Sequence, residues 1–580
     1  GSVEFNARQF YRALAESGIG TAMFPAAEES SRLLTSLGLH VLPRVTSYYP
    51  YQSALSEVRA PCLNDPAFIV SEQTHLKGMA QIVRDYSNTA ISLGDGNALS
   101  ATGEDLCRCA ACIAGSGEYL RKTYVNLDAM ERAWGTSHET WENIVPPTEQ
   151  QARESKRYAP WIDFRSYMDS VFLRTHAAAR GNVRVADPRA RCGFAARGTD
   201  ELFTGHDWGA LASHLDLLAT PADSRIVDIA RSLRAPSGFA GIEMTDAVSP
   251  ETLRWLPWYA VLHRAHSVWW PDVTASTVNV PGMVGVDPLG NPAPFAPEFF
   301  QETAVLQNGL ARLLLKSAPQ RAEVAVYTSR SSAWLNHIDG QFEASSAQAE
   351  RAYAVALTGL GYAFDYVSAP RIEKGALAAY RALILPMARA LGDAEIAAIR
   401  SFAESGGCLI ADVAPGTYDE HGAARESPPL ADVFGVRYAK ASTAGAPANA
   451  LVELSIDGAK ASGDFADIRA DSAVEPVGAQ LGGLAGTAPV WMLRTDKSIA
   501  LLLNHAVADR TLDRARGLLD QVLRVAGARR AIEIGVRKGK EFQGGRFVSN
   551  FGKATLVALL ADVDAAQETQ KVRLQFDRSS

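Results

Sequence analysis

Short apolar runs alternate with amphipathic segments over the first half of the chain. Segments with helical spacing, such as residues 7–17 and 70–86, separate the mostly apolar runs, and this rhythm is typical of repeated βα units. Seven of the apolar runs are predicted to be strands: residues 20–24, 40–45, 90–93, 191–195, 215–219, 238–243 and 267–270. With a further strand expected at residues 3–5, the pattern predicts a (β/α)8 TIM barrel over residues 1–318.

The pattern changes near residue 319. Four buried-type strands are predicted within residues 319–442, at 323–328, 363–367, 382–386 and 408–412. The helical segments between them make this part a doubly wound α/β domain. After a stretch rich in Ala, Gly, Ser and Pro, short alternating runs predict a small C-terminal β-sandwich over residues 443–580, with one helix at residues 510–526.

Composition changes this picture little. The 580 residues are 47% hydrophobic and 21% charged, with a net charge of −7, which gives no electrostatic case for nucleic acid or anionic membrane as a partner. No apolar run reaches the about 18 residues that a transmembrane helix needs, so we expect a soluble protein. Gly1 and Ser2 look like the remnant of a cleaved tag, so the compartment, cytoplasmic or periplasmic, stays open.

Candidate chemistry gathers after the strand predicted at residues 90–93. Its continuation Gly94-Asp95-Gly96-Asn97 puts a polar turn at the carboxyl end of a strand, where a TIM barrel places its active site. Cys107, Cys109 and Cys112 follow with C-x-C-x2-C spacing. Three cysteines within six residues indicate a metal clamp on the loop after this strand more strongly than they indicate ordinary buried thiols.

Several segments carry a resemblance to a known family. They are the cysteine cluster, Cys62 within Pro61-Cys-Leu-Asn-Asp-Pro66, and the stretch Leu127-Asp-Ala-Met-Glu-Arg-Ala-Trp-Gly-Thr136, which is followed by Trp141 and Ile144-Val-Pro-Pro147. In this order they resemble glycoside hydrolase family forty-two. That family consists of β-galactosidases with a catalytic barrel, an amidotransferase-like trimerisation domain and a small β domain.

The resemblance implies a structural zinc ion and a homotrimer. Zinc in a closed structural site takes four ligands in a tetrahedron. Cys62 would be the fourth ligand, beside Cys107, Cys109 and Cys112. The α/β domain over residues 319–442 would be the amidotransferase-like domain that builds the trimer.

The resemblance also implies two catalytic carboxyl groups, and here the chain departs from the family. The acid/base glutamate at the end of the fourth barrel strand falls on Gly96, which has no proton to give. Three explanations stay open: an engineered inactivating change, a natural loss that leaves a carbohydrate-binding protein, or another acid. Asp95 and Glu104 are the candidates for another acid, although strict alternation would turn Asp95 to the opposite side of the strand.

Glu243 is the predicted nucleophile. It closes the apolar run at residues 238–243, near the seventh barrel strand, where retaining enzymes of this type carry that group. Asp246 and Glu251 are alternatives. A place at the start of a helix would explain Glu251 without catalysis.

Substrate contacts are expected from polar and aromatic residues around the barrel mouth. Aromatic side chains offer flat apolar faces to a sugar ring, but only one of Trp269 and Trp270 can face inward, because successive side chains on a strand alternate. The predicted set is Asn97, Trp141, Trp269, Trp270 and Asp272.

The favoured function is a retaining, exo-acting glycoside hydrolase that is similar to β-galactosidase and impaired at the acid/base position. The alternatives are a non-catalytic carbohydrate-binding relative and a glycosidase with a different sugar specificity, since a fold does not fix the substrate. An amidotransferase acting through Cys408 is disfavoured, because this cysteine lies inside an apolar strand and not on an exposed elbow.

Overall fold

The computed structural model describes most of the chain. The described residues are 2–16, 18–50, 57–86, 89–101, 103–196, 198, 202–244, 249–270, 296–438, 451–456, 459–464, 474–477, 482–483, 491–494, 498–507, 509–536, 542, 544–561 and 572–575.

The chain divides into two compact units. The first comprises residues 1–118, 167–318 and 549–566, and the second comprises residues 119–166, 319–548 and 567–580. The predicted boundary at residue 318 coincides with a boundary between the units. Residues 119–166, which the sequence pattern assigns to the barrel domain, are grouped with the second unit.

A parallel sheet of seven described strands forms the first unit. In chain order and in spatial order the strands are β1 Thr21–Pro25, β2 His40–Arg44, β3 Ile91–Asp95, β4 Cys192–Ala195, β5 Leu217–Pro221, β6 Phe239–Glu243 and β7 Ser267–Trp269. Every neighbouring pair is parallel. Sequential order, parallel pairing and intervening helices are the topology of a (β/α)8 barrel, so the predicted fold is confirmed.

The strand expected at residues 3–5 is wrong. These residues lie in the helix Ser2–Glu16, which precedes β1 as a barrel helix would. The run Val-Glu-Phe alternates, but three residues are too few to separate a period of 2 from a period of 3.6. If Ser2–Glu16 is counted as the first barrel helix, β3 takes the fourth strand position and β6 the seventh.

Helices surround these strands. In chain order after Ser2–Glu16 they are Glu28–Ser36, Pro66–Val83, Ala110–Thr123, Ala159–Ala186, Trp208–His214, Ser224–Leu233, Pro250–Leu262, Ala296–Val305, Leu306–Leu310 and Ala311–Lys316. The two helices Ala110–Thr123 and Ala159–Ala186 each continue into the second unit. Among the helices of the described residues, none is long and apolar enough to cross a membrane.

The second unit is organised on another sheet of seven described strands. Its spatial order is Phe364–Val367, Val324–Tyr327, Ala382–Leu385, Cys408–Ala411, Ile499–Leu502, Trp491–Arg494 and Gly482–Gly483. The first five are parallel, and the last two are antiparallel additions. The helices of this unit include Arg330–Asp339, Ser346–Leu360, Ala369–Glu373, Asp393–Glu404 and Asp509–Val525.

The doubly wound sheet therefore extends past the boundary expected at residue 442. Ile499–Leu502 pairs in parallel with Cys408–Ala411, although the sequence pattern assigns it to the C-terminal β-sandwich. All four of its residues are buried. A short apolar strand buried on both faces is typical of the centre of a parallel sheet and not of an alternating sandwich strand.

Shorter elements complete the two units. The helical ones are Leu127–Trp134, Trp141–Asn143, Glu149–Ser155 and Ala376–Ala379. The remaining strands are Ala318–Pro319, Val436–Tyr438, Leu451–Ile456, Ala459–Asp464, Val474–Pro476, Glu533–Val536, Gly544–Phe551, Ala554–Ala561 and Val572–Gln575. Antiparallel pairing joins Leu451–Ile456 to Ala459–Asp464 and Glu533–Val536 to Val572–Gln575.

A buried carboxylate ties three segments of the second unit together. Asp163 is 2% exposed and accepts hydrogen bonds from Tyr124 and from the indole of Trp134, each at 2.7 Å. His421 donates to its other oxygen from Nδ1 at 2.7 Å. Burial alone would lower the pKa of His421, but the hydrogen bond and the charge of Asp163 outweigh it and raise the pKa to about 9.

This ion pair predicts a stability that depends on pH. Because the pKa of His421 is raised above its unfolded value of about 6.5, the stabilisation should be complete below pH 6.5 and lost as the pH rises through about 9. We expect wild type to exceed His421→Gln in free energy of unfolding at pH 6 by at most about 3 kcal/mol. Urea unfolding of both proteins at pH 6 and at pH 9.5 measures the change, and a difference that is equal at the two pH values would contradict the assignment.

Candidate active site and cysteine cluster

A bulge at the end of β3 sets the direction of Asp95. Ser92 pairs with Gly193 and Asp95 pairs with Ala195, so β3 holds one residue more than β4 over this stretch. Gly94, inside the bulge, has φ 143°, and a Cβ there would lie 2.0 Å from Oδ1 of Asn97. Glycine is therefore required at this position. Bulges of this kind redirect the next side chain, so the alternation that predicted Asp95 on the opposite side fails.

One cavity of about 660 Å³ is lined by residues from both ends of the strands and from neighbouring helices, and it reaches the carboxyl ends of four strands. Arg44 of β2, Asp95 of β3, Glu243 of β6 and Trp269 of β7 all contribute to it, as does Trp270. Among the described lining residues, two carboxylates and one guanidinium are the groups that are charged at neutral pH. His266 also lines the cavity, but burial lowers its pKa to about 4, which keeps the imidazole neutral.

Glu243 is the last residue of β6. It lies in register between Pro221 of β5 and Trp269 of β7, and it is 4% exposed. A carboxylate is costly to bury, and one held at the carboxyl end of a barrel strand marks a functional site. The structure thus brings the predicted nucleophile to the same cavity as Asp95.

The other candidate carboxylates do not line this cavity or lie outside the described residues. Glu251 is exposed in the first turn of the helix Pro250–Leu262, where Ser249 caps the helix by accepting from Thr252 N at 3.1 Å. A helix-terminal role explains Glu251, as expected. Asp246 lies outside the described residues. Glu104 is bonded within its own loop, where Oε2 accepts from Ser100 at 2.9 Å, and it does not line the cavity.

The two neighbouring tryptophans face opposite sides of the sheet. Trp269 packs with Leu42, Leu217 and other residues of the inner face, and its indole lies where a Cβ on Gly241 would be only 2.4 Å from Nε1. Trp270 packs on the outer face, against a cluster that includes residues of the helix Pro250–Leu262. Trp269 is therefore the inward member of the pair, and alternation predicted that only one would be inward.

Asn97 supports the loop and does not line the cavity. Its side chain is fully buried, and Oδ1 accepts from the backbone N–H of Tyr48 at 2.8 Å. Nδ2 donates to Leu93 O at 2.9 Å and approaches His176 Nε2 at 3.0 Å. Because its polar atoms are engaged with protein groups and it is not among the lining residues, the sugar contact of Asn97 stays a prediction.

Two histidines with no role predicted from the sequence complete this network. His176 Nδ1 donates to Phe172 O at 2.9 Å, and burial lowers its pKa to about 3, so the ring is neutral and Nε2 can accept from Asn97. His206 Nε2 lies 2.8 Å from the carbonyl oxygen of Asn97. No local sequence signal could have linked these histidines to residue 97, because 79 and 109 residues separate them from it.

Gly96 follows Asp95 with a conformation that favours glycine. Its φ is 69°, it is buried, and its N–H donates to Ala195 O at 2.8 Å. A side chain at this φ would be strained. The backbone thus suits the residue that is present.

The remaining predicted sugar contacts lie away from this cavity or beyond the described residues. Trp141 belongs to the second unit, where it packs near Ile144 and Trp134, and it is not among the residues that line the cavity. Asp272 lies outside the described residues.

The four predicted metal ligands come together. Cys62 Sγ lies 3.3 Å from Cys109 Sγ and 3.6 Å from Cys112 Sγ, and the four sulfur atoms, with Cys107, lie within 4.8 Å of one another. A tetrahedral zinc ion with Zn–S bonds of about 2.3 Å places its sulfurs about 3.8 Å apart. The donor set and its spacing therefore fit zinc. Hydrogen bonds from Cys112 and Cys62 lower the pKa of Cys107, and the hydrogen bond with Cys107 raises the pKa of Cys112.

Arg59 links the cysteine cluster to the loop after β3. Its side chain is buried, and Nη2 donates to Ala98 O at 2.9 Å and to Tyr48 O. Its backbone N–H points at Cys107 Sγ, 3.3 Å away. Burial lowers the pKa of Arg59 to about 10, and the cysteines oppose this shift. Four thiolates around a divalent cation carry a net charge of −2, which complements a buried guanidinium.

Comparison with known proteins identifies part of the chain. Residues 322–486 match the family described as the β-galactosidase trimerisation domain. This segment belongs to that family. The trimerisation domain coincides with most of the doubly wound sheet, so the predicted resemblance to glycoside hydrolase family forty-two is confirmed. Among curated protein sequences, none matches the chain.

Solved structures share the fold of nearly the whole chain. A β-galactosidase from Rahnella sp. R3 is 16% identical with a TM-score of 0.76, covering 96% of this chain and 90% of that one. A GH42 β-galactosidase from G. stearothermophilus is 15% identical with a TM-score of 0.77, covering 95% and 89%. An α-L-fucosidase from Paenibacillus thiaminolyticus is 13% identical with a TM-score of 0.57, covering 94% and 83%. The likeness in fold thus extends over nearly the whole chain.

Proposed function

We propose that this protein is a retaining glycoside hydrolase that removes non-reducing-end sugars, with Glu243 as its nucleophile. One observation carries the proposal: Asp95 and Glu243, from the fourth and seventh strand positions of the barrel, line the same cavity. Retaining glycosidases need two carboxyl groups about 5–5.5 Å apart on opposite sides of the scissile bond. The chain supplies two carboxyl groups to one cavity, with the aromatic residue Trp269 also in its lining.

The two carboxyl groups take different roles in the proposed reaction. Glu243 attacks the anomeric carbon and forms a glycosyl ester as the bond to the leaving oxygen breaks. Asp95 gives its proton to that oxygen and then takes a proton from the water that hydrolyses the ester. Asp95 replaces the glutamate expected at Gly96, because the bulge at Gly94 brings the carboxylate one residue earlier into the cavity.

The conformation of Gly96 bears on the competing explanations. A side chain at residue 96 would be strained at the φ of 69° found here. This favours a reaction carried out by another acid. A non-catalytic carbohydrate-binding protein is the second candidate function. The one observation that favours it is the glycine at residue 96, where the family resemblance implies a glutamate.

The substrate class is proposed from the fold. β-Galactosidases from two organisms share the fold over nearly the whole chain, so a β-galactoside is the first substrate to test. An α-L-fucosidase shares it more distantly, and the same scaffold can therefore serve another sugar.

Two further properties belong to the proposal. Cys62, Cys107, Cys109 and Cys112 would hold one structural zinc ion, whose ligand set is closed, so that it would brace the loop and take no part in the chemistry. The trimerisation domain supports assembly into a homotrimer. The zinc proposal depends on the cluster of four cysteines. The homotrimer proposal depends on the family match.

Hydrolysis of a panel of aryl glycosides tests the function. We expect wild type to cleave one of them and Asp95→Asn to lose about 10²–10⁴-fold on substrates with poor leaving groups, the range of general acid catalysis. Activated aryl substrates need little protonation and should lose much less. Gly96→Glu should gain nothing, because its side chain would start from a strained, buried position.

Asp85→Asn is the matched control, since this aspartate is exposed and lies outside the cavity. A gain of orders of magnitude in Gly96→Glu would return the acid/base role to residue 96. If no glycoside is cleaved but one sugar binds, the carbohydrate-binding alternative replaces the proposal.

A further inference from the structure

Exposure divides the four cysteines of the cluster into an inner and an outer pair. Cys107 and Cys112, the inner pair, are each 1% exposed, whereas Cys62 and Cys109, the outer pair, are partly exposed. The two sulfur atoms of the outer pair are 3.3 Å apart. Oxidation of a cysteine depends on access from water as well as on thiolate character. The outer pair therefore combines access from solvent with contact between two sulfurs.

Both residues of the outer pair lie in loops. Cys62 lies four residues before the helix Pro66–Val83, and Cys109 directly precedes the helix Ala110–Thr123, which holds Cys112 in its first turn. A disulfide has an S–S bond of about 2.05 Å, so the outer sulfurs must approach by about 1.2 Å. Loop backbone absorbs such a movement more readily than a buried residue in a helix does. The structure thus favours a bond from Cys62 to Cys109 over a bond to Cys112.

A movement of Cys62 reaches the loop after β3 through Arg59. The carbonyl oxygen of Pro61, next to Cys62, accepts from Nη1 of Arg59. Nη2 of the same guanidinium donates to Ala98 O at 2.9 Å, and Ala98 lies three residues after Asp95. Joining two of the four sulfurs also leaves too few thiolates for a closed zinc site. Oxidation of the outer pair therefore weakens two supports of this loop, the metal site and the contacts of Arg59.

We propose that Cys62 and Cys109 form a site of reversible oxidation, at which hydrogen peroxide converts two thiolates into a disulfide and the cluster loses its capacity for zinc. One thiolate attacks the peroxide, so that the O–O bond breaks, hydroxide leaves and a sulfenic acid remains on the sulfur. The second thiolate attacks that sulfur, forms the S–S bond and releases a second hydroxide. Two electrons pass from the sulfurs to the peroxide, and a dithiol reductant reverses the change. The oxidation is independent of the proposed function, whereas its effect on hydrolysis rests on that function.

Peroxide treatment of the zinc-loaded full chain tests the oxidation. Reductant and excess metal ions are removed, and hydrogen peroxide is added in steps. A chromophoric chelator follows the release of zinc, and the remaining thiols are counted in denaturant. We expect about one zinc ion and about two thiols per chain to be lost together, and dithiothreitol with added zinc to restore both. Protein that has lost two thiols but retains its zinc would overturn the proposal.

Tryptic mapping identifies the oxidised pair. Cleavage after Arg59 releases Cys62 on a peptide of its own, and cleavage after Arg108 leaves Cys109 and Cys112 together on another. Fragmentation of the linked peptides distinguishes these last two cysteines. We expect a link from Cys62 to Cys109. A link that involves Cys112 would refute the assignment to the outer pair.

Two cysteines outside the cluster serve as controls. Cys192 and Cys408 are 0% and 1% exposed, so both should remain thiols while the outer pair is oxidised. The variant Cys408→Ala should lose zinc at the same peroxide concentration as wild type. Survival of all thiols in excess peroxide, or oxidation of these two buried residues before the outer pair, would refute the site.

Kinetics before and after oxidation test the link to Asp95. Wild type is assayed with methyl β-galactoside and with 2,4-dinitrophenyl β-galactoside. We expect oxidation to lower the rate by up to about 10²–10⁴-fold on the methyl galactoside, which needs the proton from Asp95, and much less on the activated substrate. If the disulfide forms and neither rate changes, the link from the cluster to Asp95 is refuted and the hydrolase assignment stands. If the reduced protein cleaves no glycoside of the panel, the proposed function fails, while zinc release and peptide mapping still decide the oxidation.

Discussion

Replacing Glu243 by alanine is expected to lower the rate of glycoside hydrolysis by at least about 10³-fold, the scale at which single catalytic groups act. The proposed reaction has no other group that can form the glycosyl ester, so activated and poor leaving groups should lose alike. That pattern differs from the one expected for Asp95→Asn, which should spare activated substrates. Steady-state kinetics on both leaving groups measure the contrast.

Added azide should restore activity to Glu243→Ala, which gives a positive test of this prediction. In Glu243→Ala it can enter the space left by the carboxylate, attack the anomeric carbon and displace an activated leaving group. The product should be a glycosyl azide of inverted configuration, which NMR identifies. Glu251→Gln is the matched control because Glu251 is an exposed helix-terminal glutamate. Full activity of Glu243→Ala, or loss of activity in Glu251→Gln, would remove Glu243 from the proposed role.

Replacing Cys62 by serine is expected to release the metal and to destabilise the barrel unit by about 3–5 kcal/mol, the cost of leaving a buried charge uncompensated. The buried charge is Arg59, whose backbone N–H contacts Cys107 and whose guanidinium holds the loop after β3. Metal analysis should find about one zinc ion per wild-type chain, as a four-cysteine site requires, and almost none in Cys62→Ser. Urea unfolding gives the stability difference.

Cys408→Ala is the matched control for the metal. Cys408 is buried in a strand of the second unit and does not belong to the cysteine cluster, so its replacement should leave the zinc content unchanged. Acid should release the metal from wild type, because protons compete for the thiolates. Wild-type protein that contains no zinc, and that a chelator does not destabilise, would rule out the structural site.

The sequence predicted the strands of both sheets well, because each is a continuous apolar run between polar turns. The run at residues 191–195 is the strand Cys192–Ala195, and the run at residues 408–412 is Cys408–Ala411. Membership of a sheet was harder to predict. Ile499–Leu502 reads as a short apolar strand in either context, and only its parallel pairing with Cys408–Ala411 places it in the doubly wound sheet.

For the candidate site, too, some residues were predicted from the sequence and others were missed. Cys107, Cys109 and Cys112 were predicted from their spacing, a local feature of the chain, whereas Cys62 was predicted from the family resemblance; the four come together in the structure. Glu243 was predicted from its place at the end of an apolar run. The direction of Asp95 was missed because one bulged residue reverses the alternation on which the prediction depended. His176 was missed because its role arises from a contact across the fold with Asn97.

Gly241 offers a means of changing which substrates enter the cavity. The Trp269 indole occupies the space that a side chain at residue 241 would need, and a Cβ there would lie 2.4 Å from Nε1. Any larger residue must push the indole aside, and Trp269 lines the cavity beside Glu243. A single methyl group at residue 241 would thus displace the indole and change the shape of the cavity near Glu243. Proteins with this fold could change their range of substrates through such a position without altering either carboxylate.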